Sequence, residues 1–151
     1  MIAKISKKKL PLTPEEYGKY YKICDALPFA FTDIEMVFNE EKKAVDWIFR
    51  YGNEALATLE KLPLDKMIGS SFSSLFSNMD SKWLQGYERA TLYGETLEIM
   101  DYSPEIDTNL KIICFPTFPG HCGCILFNAD KMRYIKDGNN LVRWIIVSMK
   151  K

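Results

Sequence analysis

The residues of this sequence best suited to bind a metal ion are a histidine and three cysteines in its last third. They occur as His121-Cys122-Gly123-Cys124, with Cys114 a few residues upstream. Imidazole and sulfur ligands suit zinc. Alternate side chains of a β-strand point to opposite faces, however, so Cys122 and Cys124 would share one face while His121 lies on the other. Cys114 could add only a third thiol, so we favour small buried side chains and expect no metal site.

The overall composition limits the kinds of partner. The chain has 151 residues, enough for one domain with a buried core, and its 20 basic and 20 acidic residues cancel. No signal peptide follows the N-terminal lysines, so the four cysteines are expected to be free thiols. The apolar run at 141–149 is shorter than the roughly 20 residues that cross a bilayer. We expect a soluble cytoplasmic domain without direct contact to nucleic acid or membrane. A redox role of Cys114, Cys122 and Cys124 stays open, because it needs an exposed thiolate.

Charged side chains give two weaker candidates for chemistry. Four acidic residues cluster near a predicted strand: Glu98, Asp101, Glu105 and Asp107. Without a nucleophile or a histidine beside them they are interpreted as solvated charges, which makes a small enzyme the least favoured class of function. Asp46 and Arg50 flank two aromatic residues and could orient a ligand, but a surface or cross-strand ion pair is the simpler interpretation.

The elements that would position these residues begin with a helix. Thr13-Pro14 is a typical helix start, and Pro28 ends the helix. The apolar stripe of this helix, with three- and four-residue spacing, consists of Tyr17, Tyr20, Tyr21, Cys24 and Leu27. Residues 29–38 and 45–51 are predicted to form an antiparallel hairpin.

Several helices and three more strands are predicted after this hairpin. Asn53 is suited to cap a helix, and Gly69 to end a second short one. A longer helix would begin at Asp80-Ser81 and end at Gly94. Strands are expected at 95–102, 110–115 and 121–127. This order predicts an α+β fold with an antiparallel sheet and the helices on one face.

In this order, the motifs at 48–56, 62–69 and 128–130 resemble a PAS domain over residues 27–130. The resemblance implies a five-stranded antiparallel sheet with a ligand pocket under the helices, a flanking helix within 1–26 and an extension at 131–151. It also implies a sensory or regulatory module that controls an output, such as a diguanylate cyclase, a histidine kinase or a transcription regulator. PAS domains typically dimerise through the flanking helix, so the stripe from Tyr17 to Leu27 is the candidate dimer surface. The apolar segment 141–147 would pack on the sheet, add a strand or join a partner chain.

Cofactor signatures of PAS proteins are missing at the expected places. Flavin photoreceptors of this fold have an Asn-Cys-Arg motif on the helix after the glycine that corresponds to Gly69. In this chain the corresponding residues 70–76 contain no cysteine. A haem sensor needs an axial ligand on the long helix, whereas the only histidine is His121, and Met79 and tyrosines are the nearest alternatives. Flavin photochemistry and haem are therefore disfavoured. We expect no cofactor or a small organic ligand of unknown identity.

Aromatic side chains are the candidates for a ligand pocket. They are Phe29, Phe31, Trp47, Phe72, Phe76, Trp83, Tyr87, Tyr102 and Phe115. If they surround a pocket, the domain senses a small molecule and passes the signal to an output domain or partner protein, as a homodimer. If they fill the core completely, the domain is a dimerisation or protein–protein scaffold without a ligand. The sequence leaves both possibilities open.

Overall fold

The computed structural model describes residues 9–77 and 80–133. The strands are β1 Ala30–Phe38, β2 Ala44–Gly52, β3 Leu97–Ser103, β4 Thr108–Pro116 and β5 His121–Asn128. The α-helices are α1 Pro14–Tyr20, α2 Glu54–Glu60, α3 Leu64–Met67, α4 Phe72–Leu75 and α5 Ser81–Tyr93, and short 3-10 helices occur at Lys22–Cys24 and Ala129–Lys131. No helix within the described ranges is both long and apolar enough to cross a membrane.

The five strands form one antiparallel sheet in the order β2-β1-β5-β4-β3. The first and last strands of the chain are therefore neighbours in the middle of the sheet. Helices α2 to α5 follow the β1–β2 hairpin and cover one face, as predicted from a run of helices between two runs of strands. The predicted α+β class and five-stranded antiparallel sheet are confirmed.

Two hydrophobic cores lie on opposite faces of this sheet. The inner core lies between the sheet and α2 to α5, and it contains Ile34, Trp47, Leu56, Trp83 and Ile112 among others. The outer core lies on the other face, next to α1, and it consists of Leu12, Tyr17, Tyr21, Phe31, Tyr51 and Phe118. Helix α1 thus lies apart from the other helices, as expected for a flanking N-terminal helix.

A β-bulge lets β2 contribute to both cores. Asp33 is opposite Tyr51 and Ile34 is opposite Phe49, so Arg50 is an extra residue in β2. Before the bulge, Trp47 and Phe49 face the inner core, and after it Tyr51 faces the outer core. Arg50 itself pairs with Glu35 at 2.8 Å, which confirms the simpler of its two interpretations, a cross-strand ion pair.

Asn53 joins three segments at the end of β2. Its Oδ1 accepts from the backbone N–H of Leu56 at 3.0 Å, which confirms the predicted helix cap, and from that of Phe31 at 3.1 Å. Its Nδ2 donates to the carbonyl oxygens of Cys24 at 3.0 Å and Phe29 at 3.1 Å. Since its side chain is only 1% exposed, Asn53 is a buried junction as well as a cap.

The predicted dimer stripe packs against its own sheet. Thr13 and Glu16 form a capping box at the start of α1, and α1 ends at Tyr20, well before Pro28. Tyr17 and Tyr21 are 1% and 7% exposed within this chain. The other stripe residues, Tyr20, Cys24 and Leu27, are partly buried against the outer core. The apolar side of α1 is therefore already covered by the sheet.

Predictions for residues 1–8, for Met79 and for 134–151 lie outside the described residues. They include most of the N-terminal basic segment and the apolar segment at 141–147.

Candidate functional site

An interior cavity lies between the inner face of the sheet and the helices. It offers about 20 Å³ to the centre of a water-sized sphere, which is room for about one water molecule. Four of the nine predicted pocket residues line it: Trp47, Phe72, Trp83 and Tyr87. A fifth, Phe76, packs against Phe72 with ring centroids 4.7 Å apart.

The aromatic rings around the cavity are in mutual contact. The ring centroid of Trp47 lies 4.4 Å from that of Phe72 and 5.0 Å from that of Tyr87, the latter in an edge-to-face arrangement. Such contacts add roughly 0.5–1.5 kcal/mol per pair beyond the buried area. The wall formed by β2, α4 and α5 is therefore tightly packed, and most of the expected aromatic volume fills the core.

Glu60 places a carboxyl group in this apolar wall. It is the last residue of α2 and follows Leu56 by four positions, so both side chains share the buried face of the helix. The residue is 6% exposed. Burial raises the pKa of Glu60 from an ordinary 4.5 to about 8, and the Glu105 carboxylate adds to this shift. Glu60 is therefore mainly protonated at neutral pH.

Glu105 is the second carboxyl group of the cavity. It is half-buried in the turn between β3 and β4, and its Oε1 accepts a hydrogen bond from the Ser103 hydroxyl. The other acids of the predicted cluster are exposed. Glu98 pairs with Lys111, Asp101 pairs with Lys82, and Asp107 accepts a hydrogen bond from the Tyr102 hydroxyl. The interpretation as a solvated charge is thus wrong for Glu105.

Four buried polar atoms around the cavity have no hydrogen-bond partner within the described part of the chain. They are Nε1 of Trp47, Nε1 of Trp83, Oε2 of Glu60 and Oε2 of Glu105. A buried group without a partner costs about 1–3 kcal/mol, and native proteins satisfy most such groups with protein, water or ligand atoms. Residues that line the cavity thus contribute two N–H donors and two carboxyl oxygens without partners to an otherwise apolar shell.

The remaining pocket candidates are not brought to this cavity. Phe31 contacts Tyr21 in the outer core, and Phe115 stacks on Phe31 from the neighbouring part of the sheet. Phe29 contacts Phe127 beside an open groove. Tyr102 is 41% exposed. The cause is strand alternation: Phe31 is one residue away from the inward-facing Thr32, so its ring is on the other face.

The three cysteines meet in the inner core, next to α5. Cys114 is opposite Cys124 across β4 and β5, and the Sγ atoms of Cys122 and Cys124 are 3.6 Å apart. All three are at most 1% exposed. Burial raises the pKa of Cys114 to about 12 and that of Cys124 well above its ordinary value. Cys114 and Cys124 are therefore neutral thiols. The described residues contain no group of three side chains placed to hold a metal ion.

His121 lies on the other face of β5, as strand alternation predicts. Its Nδ1 is 2.8 Å from Oδ1 of Asp33, and Oδ2 of Asp33 accepts a hydrogen bond from the Tyr21 hydroxyl. Burial and the Asp33 carboxylate raise the pKa of Tyr21. The Tyr17 ring lies 6.1 Å from the imidazole ring. These contacts attach the N-terminal segment to β1 and β5.

Comparisons with known proteins found similarity among solved structures. No protein-family model and no curated protein sequence matches the chain. Twenty-three chains of solved structures match it, among them an RNA-binding light-oxygen-voltage receptor. That structure is 15% identical with a TM-score of 0.49, and the alignment covers 81% of this chain and 35% of the receptor chain. This chain thus spans about a third of the receptor's length.

Proposed function

We propose that this chain is a sensory module that binds a small polar molecule in its interior cavity and regulates an output domain or partner protein. The observation that supports this proposal best is the set of four unpaired polar atoms around one cavity of a PAS-like fold. A core that served packing alone would gain by replacing these groups with apolar ones. A ligand that both donates and accepts hydrogen bonds removes their cost.

A route from the cavity to the N-terminal segment is available through β1. Thr32 and Ile34 of β1 line the cavity. Their neighbours in the strand lie on the other face: Phe31 belongs to the outer core, and Asp33 accepts a hydrogen bond from Tyr21. A displacement of β1 on ligand binding would therefore change the contacts of α1. In this proposal the output is a diguanylate cyclase, a histidine kinase or a transcription regulator, attached or separate.

A homodimer belongs to this proposal, with an altered contact surface. Tyr17 and Tyr21 are buried in the chain itself, so they are not free to join a second copy. Ile23 follows them in the same segment and is 88% exposed. A dimer formed by the N-terminal segment would therefore use the side on which Ile23 lies.

The second candidate function is a dimerisation or protein–protein scaffold without a ligand. It is favoured by the cavity size, because about 20 Å³ admits one water molecule and nothing larger without movement of the helices. In that case one bound water would satisfy some of the unpaired atoms, and signals would pass through contacts between chains alone.

Mass spectrometry of the purified protein separates the two candidates. Two results together support the sensor. The native mass exceeds the denatured mass, and at least one compound in a panel of neutral, anionic and cationic metabolites raises the melting temperature. Double substitution of Trp47 and Trp83 by phenylalanine should weaken that binding, because it removes both indole N–H donors and keeps aromatic packing. Equal native and denatured masses and no thermal response to any compound would rule out the sensor and leave the scaffold.

A further inference from the structure

Among the described residues, no cationic side chain forms an ion pair with either carboxyl group of the cavity. Three acids nearer the surface are paired: Glu35 with Arg50 at 2.8 Å, Glu95 with Arg89 at 2.6 Å and Glu98 with Lys111 at 3.0 Å. Within the ranges that the structure describes, neither Glu60 nor Glu105 forms an ion pair.

The lysine next to Glu60 does not serve as its partner either. Lys61 has a left-handed backbone conformation at the end of α2, and its Nζ donates to the carbonyl oxygen of Ile106 at 3.4 Å. An acid that is 6% exposed and has an unpaired oxygen is unfavourable unless a donor or a cation approaches it. The described part of the chain thus leaves one oxygen of each carboxyl group without a partner and forms no ion pair with either group.

The rest of the cavity wall also suits a cation. The faces of aromatic rings attract positive charge, most strongly for tryptophan, and five aromatic side chains line the cavity. One of these rings already contacts a cation of the chain, since Nζ of Lys82 lies 4.9 Å from the centre of the Trp83 ring. The indole N–H groups of Trp47 and Trp83 are donors, so they require an acceptor on the same ligand.

We propose that the ligand of this cavity is a small protonated amine that also carries an oxygen acceptor. Its ammonium group donates to Glu60 and Glu105 and lies against the aromatic rings, and its oxygen accepts from an indole N–H. This inference rests on the proposed function, because it assigns a chemical class to the same cavity.

The size of the cavity links binding to a conformational change. The present volume is sufficient for ammonium itself, whereas an amine of several heavy atoms requires α2, α4 or α5 to move away from the sheet. Since Trp47 and Trp83 are on β2 and α5, this movement would change their fluorescence.

Binding of an amine would release a proton below pH 8. Glu60 is protonated there, and a cation beside it favours the ionised form. Among the described residues, the titratable groups that line the same cavity are Glu105 from the β3–β4 turn, Tyr87 from α5 and Cys124 from β5. The pKa values of Tyr87 and Cys124 are raised by burial, so these two stay neutral and the proton comes from Glu60. Affinity for the amine should therefore rise with pH until the pKa of Glu60 is passed.

Ethanolammonium chloride is the probe, because it combines an amine and a hydroxyl group in few atoms. Binding is measured by calorimetry in two buffers of different ionisation enthalpy, which counts the released protons, and by tryptophan fluorescence. Ethylene glycol lacks the amine, propylammonium lacks the oxygen, and potassium chloride controls for ionic strength. We expect ethanolammonium to bind most tightly and ethylene glycol and potassium not to bind.

Variants of the two carboxyl groups provide the decisive comparison. Glu60→Gln and Glu105→Gln should each weaken ethanolammonium binding by about tenfold or more, since a charge-assisted hydrogen bond becomes a neutral one. Glu98→Gln, which removes a surface ion pair, should leave binding unchanged. Circular dichroism checks that each variant is folded. If Glu60→Gln does not fold, Glu105→Gln provides the test, because Glu105 is only half-buried.

The possible outcomes separate this inference from the function on which it rests. Unchanged affinity in a folded Glu60→Gln or Glu105→Gln protein overturns the amine proposal. Binding of neutral or anionic compounds without binding of any amine also overturns it, while the sensory function stands. A response to no compound of any class overturns both.

Discussion

Nδ1 of His121 lies 2.8 Å from Oδ1 of Asp33, on the face of the sheet opposite the interior cavity. The two residues are 1% and 0% exposed, and Asp33 also accepts from the Tyr21 hydroxyl. Loss of either contact would leave a buried oxygen of Asp33 without a partner, which costs about 1–3 kcal/mol. The N-terminal segment is therefore attached to the central strands by a polar contact as well as by the outer core.

Removal of the Tyr21 hydroxyl should destabilise this attachment. Tyr21→Phe keeps the ring in the outer core but deprives Asp33 of one donor, so we expect the free energy of unfolding to fall by about 1–3 kcal/mol in urea titrations. Tyr20→Phe is the matched control, because the Tyr20 ring packs 4.8 Å from that of Tyr21 without a hydroxyl contact to Asp33. Equal stability of the two variants would show that the hydroxyl contact contributes nothing.

Asn53 should be irreplaceable by aspartate, although both residues cap helices equally well. Asn53→Asp keeps the acceptor for the Leu56 N–H, but it removes the donors to the carbonyl oxygens of Cys24 and Phe29 and turns a negative charge toward them. We expect a loss of about 3 kcal/mol in the free energy of unfolding, as for a buried hydrogen-bond network. Asn53→Ser, which leaves these carbonyl groups unpaired without adding charge, is the comparison. A fully stable aspartate variant would mean that the cap alone matters.

Thiol labelling should distinguish Cys24 from the other cysteines. Cys24 is half-buried, whereas Cys114, Cys122 and Cys124 are fully buried in the inner core. In the native protein a thiol reagent should therefore modify one cysteine of the four, and the rest only after unfolding. Its raised pKa should make the reaction of Cys24 slower than that of a free thiol. In Cys24→Ser the early phase should vanish, and early labelling of two or more thiols would contradict the burial of the inner three.

Strand alternation and helix caps were sufficient for much of this fold. The separation of His121 from Cys122 and Cys124 follows from the period of two, and the cap at Asn53 follows from residue type and position. Strand alternation and helix caps do not determine which of the two cores a given side chain enters. Phe31 and Trp47 are equally hydrophobic, and only the pairing of β1 with its neighbours places one in each core.

The bulge and the buried acid show where local pattern fails. Arg50 shifts the alternation of β2 by one residue, and a bulge of this kind has no sequence signal in an Arg-Tyr pair. A glutamate at the last position of a helix is usually solvated, so the type of Glu60 alone does not predict its burial. A signal was present nevertheless, since Glu60 is four residues after Leu56 and thus on the buried face of α2. Tertiary packing brings the carboxyl groups of Glu60 and Glu105 to the cavity, and residue type alone does not predict this.

Titration of Glu60 should make the stability of the protein fall as pH rises. Its pKa is about 8 when folded and near 4.5 when exposed, so between these values the unfolded chain binds fewer protons than the folded one. The stabilisation that is fully present below the lower pKa is therefore lost as pH rises through the higher one, by up to about 1.4 kcal/mol per pH unit. Urea titrations across this window measure the slope of the free energy of unfolding against pH.

Glu60→Gln should flatten that slope, because glutamine keeps the shape of the protonated acid and does not titrate. The surface variant Glu98→Gln should keep the wild-type slope, since Glu98 pairs with Lys111 in solvent. The two variants have the same change in formal charge, so a difference between their pH profiles reports the buried position of Glu60. A wild-type profile without a decline toward alkaline pH would mean that the folded protein holds Glu60 ionised, with a cation beside it that the cavity wall does not supply.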